Sequence, residues 1–150
     1  MTTIAVNRTM MAGDKQFTHS SGLMIKGKTK IYEVPEYTAK DVFNTKRAFI
    51  GFCGNADSFG DVINWLWYPE EKAPKCRGME MLLLNAKGEI YHGTNLRNWM
   101  LINQPFFSVG SGMQYAMGAM SVGKTPYEAV KIASKHDANT GKGFNKLEMK

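Results

Sequence analysis

Thr2-Thr3-Ile4-Ala5-Val6-Asn7-Arg8-Thr9-Met10-Met11-Ala12-Gly13-Asp14 is the stretch on which the fold turns. Ile4 and Val6 alternate with Ala5 and Asn7, the period of a strand with one face buried. Met10-Met11-Ala12 reads as its antiparallel partner across a short turn at Asn7 to Thr9. Gly13 lets the backbone bend before Asp14.

Working outward, Gln16 to Thr18 and Leu23 to Ile25 read as a hairpin around Ser20-Ser21-Gly22. Thr29 to Val34 is a strand stopped by Pro35, and Ala48 to Cys53 is another that ends in Gly54. Asn55 or Asp57 caps a helix in which Phe59, Val62, Ile63 and Leu66 form one apolar face at i, i+3, i+4 and i+7. Pro69 closes it, and Pro69 to Arg77 is polar loop. Met79 to Leu84 and Glu89 to His92 form a hairpin around Asn85-Ala86-Lys87-Gly88. Phe106 to Val109 is a strand, and a helix follows Gly110-Ser111-Gly112 to about Met120. Thr125-Pro126-Tyr127-Glu128 is a capping box with proline at the first helical position, which starts a helix running to about His136. Phe144 to Met149 is a final strand. This order excludes a regular βαβ repeat and predicts α+β, with helices packed on antiparallel sheets.

The 150 residues are expected to form one domain, 1–150, and 43% are hydrophobic, enough to bury a core. No apolar run reaches the ~18 residues of a membrane span, and Met1 to Arg8 does not read as a signal peptide. A cytoplasmic protein with no membrane partner is the expectation. Cys53 and Cys76 make neither a metal-ligand spacing nor a disulfide framework, so both read as reduced thiols. His19, His92 and His136 have no ligand spacing, so no zinc site is expected. The net charge of +6 is spread over scattered lysines. That favours a solvated basic face over a nucleic-acid surface, and no nucleic-acid partner is expected.

Five ordered segments between residue 2 and about residue 147 carry a resemblance. Thr2-Thr3-Ile4-Ala5-Val6 resembles the mature start of HslV and of proteasome β-subunits. Ala12-Gly13-Asp14-Lys15-Gln16 resembles the turn that holds their catalytic aspartate. Ile50-Gly51-Phe52-Cys53-Gly54-Asn55-Ala56-Asp57 is similar to their oxyanion-hole strand. Val109-Gly110-Ser111-Gly112-Met113-Gln114-Tyr115-Ala116 is similar to their Gly-Ser-Gly helix entry, and Asp137-Ala138-Asn139-Thr140-Gly141 to the loop that supports the nucleophile. Lys30 follows Asp14 by sixteen residues, as in that family. Each segment alone is weak; the register gives them force.

The resemblance implies a four-layer αββα sandwich of two antiparallel sheets, the N-terminal nucleophile hydrolase fold, with a reduced outer helical layer. It implies a threonine peptidase whose nucleophile is Thr2, exposed by removal of Met1. A threonine hydroxyl is a poor nucleophile near neutral pH, and an α-amine on the same residue is a base held beside it at almost no ordering cost. Lys30 would favour the alkoxide, Asp14 would orient Lys30, and the Gly51 N–H would hold the oxyanion. Ser111, Asp137 and Thr140 would position the amine. Phe17, Lys28, Tyr32, Phe49 and Cys53 would line the pocket for the residue before the cleaved bond.

No cofactor is required by this chemistry. In relatives, backbone oxygens of the loop at Ser134, Asp137 and Thr140 hold a monovalent or magnesium ion, which makes a candidate ion near Asp137. The implied partners are a polypeptide substrate, a homo-oligomeric ring and an ATP-dependent unfoldase. The first hairpin is trimmed relative to the family, Trp67 to Met79 leaves no room for a second outer helix, and the sequence stops just after its last strand. A catalytically silent, ring-binding or structural subunit is therefore the alternative. The bland readings of Asp14 as a turn residue, Lys30 as a surface lysine and Asp137 as a helix-end residue stand beside the catalytic ones.

Overall fold

A computed structural model of the chain describes residues 2–18, 24–26 and 29–150. The Ser20-Ser21-Gly22 turn and Lys28 lie outside the described residues. Two antiparallel sheets face each other. The first has the order β10-β1-β2-β11, built from β1 (Thr3–Asn7), β2 (Met10–Asp14), β10 (Phe106–Gly110) and β11 (Phe144–Glu148). The second has the order β5-β6-β7-β8-β9, from β5 (Ile31–Glu33), β6 (Ala48–Gly54), β7 (Met79–Asn85), β8 (Ile90–Gly93) and β9 (Trp99–Ile102). Strands β3 (Gln16–Thr18) and β4 (Met24–Lys26) pair as a small hairpin of their own.

Side-chain alternation divides the buried residues into three layers. Ile4, Val6, Met11, Ile31, Phe49, Cys53, Leu82, Leu84, Ile90 and Val109 fill the space between the sheets. On the outer face of the first sheet, Ala5 and Ala12 meet α3 (Met113–Ser121) and α4 (Pro126–His136) through Ala116, Ala119, Ala129, Val130 and Ala133. These small residues let the helices sit close to the strands. On the outer face of the second sheet, Ala48, Ile50, Phe52, Met81 and Leu83 pack against Phe59, Val62, Trp65 and Leu66 of α2 (Phe59–Trp67). β7 is covered on both faces, so Met79 to Asn85 is nearly continuously apolar. Helices outside, two sheets within: this is the αββα sandwich expected.

The capping box forms as the sequence dictates. Glu128 N donates to Thr125 Oγ1, and Thr125 N donates to the Glu128 carboxylate. Asn55 caps a short 3₁₀ turn, Ala56–Ser58, that leads into α2.

Two elements were not read from the sequence. One is α1 (Glu36–Phe43), which lies beside α2: Thr38 Oγ1 donates to Leu66 O at 2.6 Å, and Tyr37 Oη donates to Trp67 O. Its only buried side chains are Thr38 and Ala39, so it carries no apolar stripe. Trp67 to Met79 holds no helix, as expected, and the second helix on this side precedes β6 instead. The other missed element is β9, whose Met100 and Leu101 are both exposed, so it lacks the alternation that marks a strand.

Gly51 lies mid-strand between Ile31 of β5 and Leu82 of β7. A Cβ there would sit 2.8 Å from Ile4 Cγ2 and 3.2 Å from both Ile31 Cγ2 and Met11 Sδ. Gly51→Ala overpacks the inter-sheet layer and is expected to cost about 1–3 kcal/mol, read as a lower urea midpoint with an unchanged m-value.

Candidate active site

Strand β1 begins at Thr3, so Thr2 lies at the mouth of the first sheet, next to the end of β10. Asp14 ends β2, the neighbour of β1, and Lys30 directly precedes β5 at the near edge of the second sheet. Facing the sheets brings the three together. Lys30 Nζ donates to Thr2 Oγ1 at 2.5 Å and to Asp14 Oδ1 at 3.2 Å, and Thr2 Oγ1 also hydrogen-bonds Asp14 Oδ1. The Gln16 carbonyl accepts a further bond from Lys30 Nζ. Thr2, Asp14 and Lys30 are 2%, 0% and 1% exposed, so the group is enclosed.

An ammonium and a carboxylate out of water survive only when paired and fully hydrogen-bonded. Asp14 meets that condition through the N–H groups of Thr3 (3.1 Å), Gln16 (3.3 Å) and Gly141 (3.0 Å) as well as through Lys30. Burial pushes Lys30 below the ordinary lysine range, against the pull of Asp14 beside it. Lys30 Nζ also lies 4.9 Å from the centre of the Phe17 ring.

A second cluster flanks Thr2 from the helix side. Ser111 Oγ donates to Asp137 Oδ2 at 2.6 Å and lies 3.4 Å from Thr2 O. Thr140 Oγ1 donates to the same Asp137 oxygen at 2.6 Å, and Asn139 N donates to Oδ1. Burial raises the Asp137 pKa, but the hydroxyls of Ser111 and Thr140 and the Asn139 N–H outweigh it and hold the carboxyl below its ordinary range. The ion suggested near Asp137 would be held by backbone oxygens, of which the Asp137 carbonyl accepts one bond, from Thr140 N. Among the described residues, no group of three or more His, Cys, Asp or Glu is placed to hold a metal.

Two expectations are corrected. The first is Gly51 as oxyanion donor. Phe52 N donates to Lys30 O and Val34 N to Ala48 O, so the even-numbered residues of β6 bond to β5. Alternation turns the Gly51 N–H to β7, where the ladder uses it. Gly51 lacks a side chain for inter-sheet packing, not for substrate approach. Two residues beyond Phe52, the Gly54 N–H turns to the same side as Lys30. Gly54 has φ +98°, and a Cβ there would meet Gly78 O at 2.1 Å, so only glycine fits. By the parity of Phe52, Gly54 is a candidate donor that the sequence reading did not single out.

The second correction concerns the pocket. Phe49 is fully buried between the sheets, with the Arg47 guanidinium 5.2 Å from its ring, and cannot touch a substrate. Cys53 is in the same layer. Tyr32 points to the α2 side, where an aromatic group extends from Lys30: Phe17–Phe59 at 6.0 Å, Phe52–Phe59 at 5.6 Å and Tyr32–Phe52 at 5.8 Å between ring centres. Phe17 and Tyr32 belong to this group; Phe52 and Phe59 were not anticipated.

The two sheets and their outer helices define a fold of the N-terminal nucleophile hydrolase type. Solved structures agree at the level of fold. BPH from Thiobacillus denitrificans is 18% identical, with 99% of this chain and 98% of that chain covered and a TM-score of 0.66. HslV from Trypanosoma brucei is 17% identical over 97% of this chain and 98% of that one, with a TM-score of 0.65. Anbu, an ancestral β-subunit from Yersinia bercovieri, is 11% identical over 98% and 81%, with a TM-score of 0.71. No protein-family model and no curated protein matches the chain. Among the described residues, no helix is long and apolar enough to cross a membrane.

Two outcomes follow. Lys30→Met leaves the Asp14 carboxylate without its cation and is expected to cost about 3–5 kcal/mol, while Lys30→Met with Asp14→Asn recovers much of it; chemical denaturation measures both. Burial pushes the Cys53 thiol up to about 12 and raises Cys76 as well. Iodoacetamide at pH 8 is therefore expected to spare both in folded protein and label both in denaturant, counted by intact mass.

Proposed function

We propose that this chain is a threonine-type endopeptidase subunit that cleaves peptide bonds with Thr2 after removal of Met1. The observation that carries the reading is the 2.5 Å contact from Lys30 Nζ to Thr2 Oγ1, enclosed and anchored on Asp14. A lysine spent on a surface role would not be buried against a threonine hydroxyl at the start of a strand.

In the proposed reaction, the freed Thr2 amine takes the hydroxyl proton as Oγ1 attacks the scissile carbonyl carbon. The Lys30 ammonium offsets the charge on Oγ1 during attack. Gly54 N–H donates to the oxyanion. The carbon–nitrogen bond then breaks, the leaving amine takes the proton from the Thr2 ammonium, and an ester to Thr2 remains. Water adds to that ester, giving a proton to the amine; the ester bond then breaks, and the departing Oγ1 takes that proton back, which restores the hydroxyl and the free amine. Ser111, Asp137 and Thr140 hold the amine side, since Ser111 donates to Asp137 with its oxygen 3.4 Å from the Thr2 carbonyl. The rings of Phe17 and Tyr32, backed by buried Phe52 and Phe59, favour an apolar residue before the cleaved bond. A homo-oligomeric ring in the cytoplasm, fed by an ATP-dependent unfoldase, is the setting proposed by analogy with HslV.

BPH from Thiobacillus denitrificans has been solved in complex with epoxomicin, and that compound is the probe here. Wild-type protein treated with epoxomicin is expected to show loss of Met1 and gain of one inhibitor mass, and Thr2→Ala no gain. Protein that retains Met1 and stays unlabelled would instead support the silent, ring-binding subunit.

A further inference from the structure

Thr3, the residue after the proposed nucleophile, has a fully buried side chain that the reaction above does not use. Its hydroxyl lies 2.7 Å from Thr140 Oγ1. Thr140 has one hydroxyl hydrogen, and it points to Asp137 Oδ2 at 2.6 Å. The hydrogen between the two threonines therefore belongs to Thr3. This gives a directed chain from Thr3 to Thr140 to Asp137, with Ser111 donating to the same carboxylate oxygen.

The backbone of the same residue reaches the other cluster, since Thr3 N donates to Asp14 Oδ1 at 3.1 Å. Thr3 is thus bonded to Asp14 directly and to Asp137 through Thr140. Its hydroxyl also has a space reserved for it: a Cβ on Gly112 would lie 2.1 Å from Thr3 Oγ1 and 3.1 Å from Thr140 Oγ1. The glycine after Ser111 is required by this hydroxyl, not only by the start of α3.

We infer that Thr3 is a positioning residue for the peptidase reaction, setting Asp137 and Ser111 relative to the Thr2 amine through Thr140. The inference rests on the peptidase reading. A valine at 3 keeps the shape of the side chain and removes the donor, leaving a Thr140 lone pair unfilled. Substrate binding is expected to change little, because the Thr3 hydroxyl bonds to Thr140 and not to the aromatic group.

The test is steady-state kinetics on an apolar fluorogenic peptide with wild type, Thr3→Val, Thr3→Ala and Thr3→Ser, with melting temperatures alongside. Thr3→Val and Thr3→Ala are expected to lower kcat roughly five- to tenfold, the weight of one hydrogen bond, with KM within about twofold. Thr3→Ser keeps the donor and is expected to recover most of kcat. Because the hydroxyls act in series, Thr3→Val with Thr140→Val should be no slower than Thr140→Val alone. Thr3→Ala covers the case in which valine fails to fold. An active wild type with unchanged kcat in Thr3→Val or Thr3→Ala, or equal loss in Thr3→Ser, overturns this inference alone. A wild type that neither turns over nor is labelled by epoxomicin overturns the peptidase reading with it.

Discussion

Lys30 and Asp14 form an ion pair from which water is excluded, and much of the arrangement around them exists to make that tolerable. A buried ammonium and carboxylate lose several kcal/mol of hydration each, and mutual attraction repays this only with good geometry and filled lone pairs. The chain meets this by bringing acceptors and donors from four places. The carboxylate comes from the end of β2, the ammonium from the start of β5, a carbonyl from Gln16, and an N–H from Gly141 of the loop before β11. Gln16 Nε2 also donates to Ala138 O at 2.8 Å, which ties the first hairpin to the same loop. Thr2 sits within this group rather than on top of it. The charge that would activate the threonine is thus also the charge that fixes its surroundings.

The sandwich makes the meeting possible. Asp14 and Lys30 belong to different sheets, and each lies at a strand end where the inter-sheet layer runs out. The sheets can approach closely there because Gly13 and Gly51 add no side chain against Ile4 and Ile31. On the other face, the alanines of β1, β2, α3 and α4 draw the helices in. That closeness carries Ser111, with Asp137 bonded to it, to the Thr2 carbonyl, and Thr140 to Thr3. A core of larger residues would separate the two clusters that Thr3 spans.

Much of the candidate site was legible as residue types in register. Thr2, Asp14, Lys30, Ser111, Asp137 and Thr140 lie on five segments of the chain, and the fold gathers them into two hydrogen-bonded clusters joined through Thr3. The errors share a cause. Gly51, Phe49 and Cys53 are odd-numbered residues of β6, and that parity faces the inter-sheet layer, whereas Phe52 faces the helix side. The motif showed that β6 borders the site without showing which of its faces does. α1 escaped because its burial is two small residues deep and its stability comes from hydroxyls reaching α2.

What the sequence determined by itself was local: the alternation of β1 and β2, the apolar stripe of α2, the capping box at Thr125, and the kinds of side chain able to do acyl transfer. Each of these depends on neighbours within a few residues, so each is written where it acts. Tertiary structure alone decided which face of β6 meets the other sheet and which meets α2, which way each glycine N–H of β6 turns, and which hydroxyl donates to which. Those are questions of register between strands and of lone pairs filled across the core. They are answered by residues up to 137 positions away, as between Thr3 and Thr140.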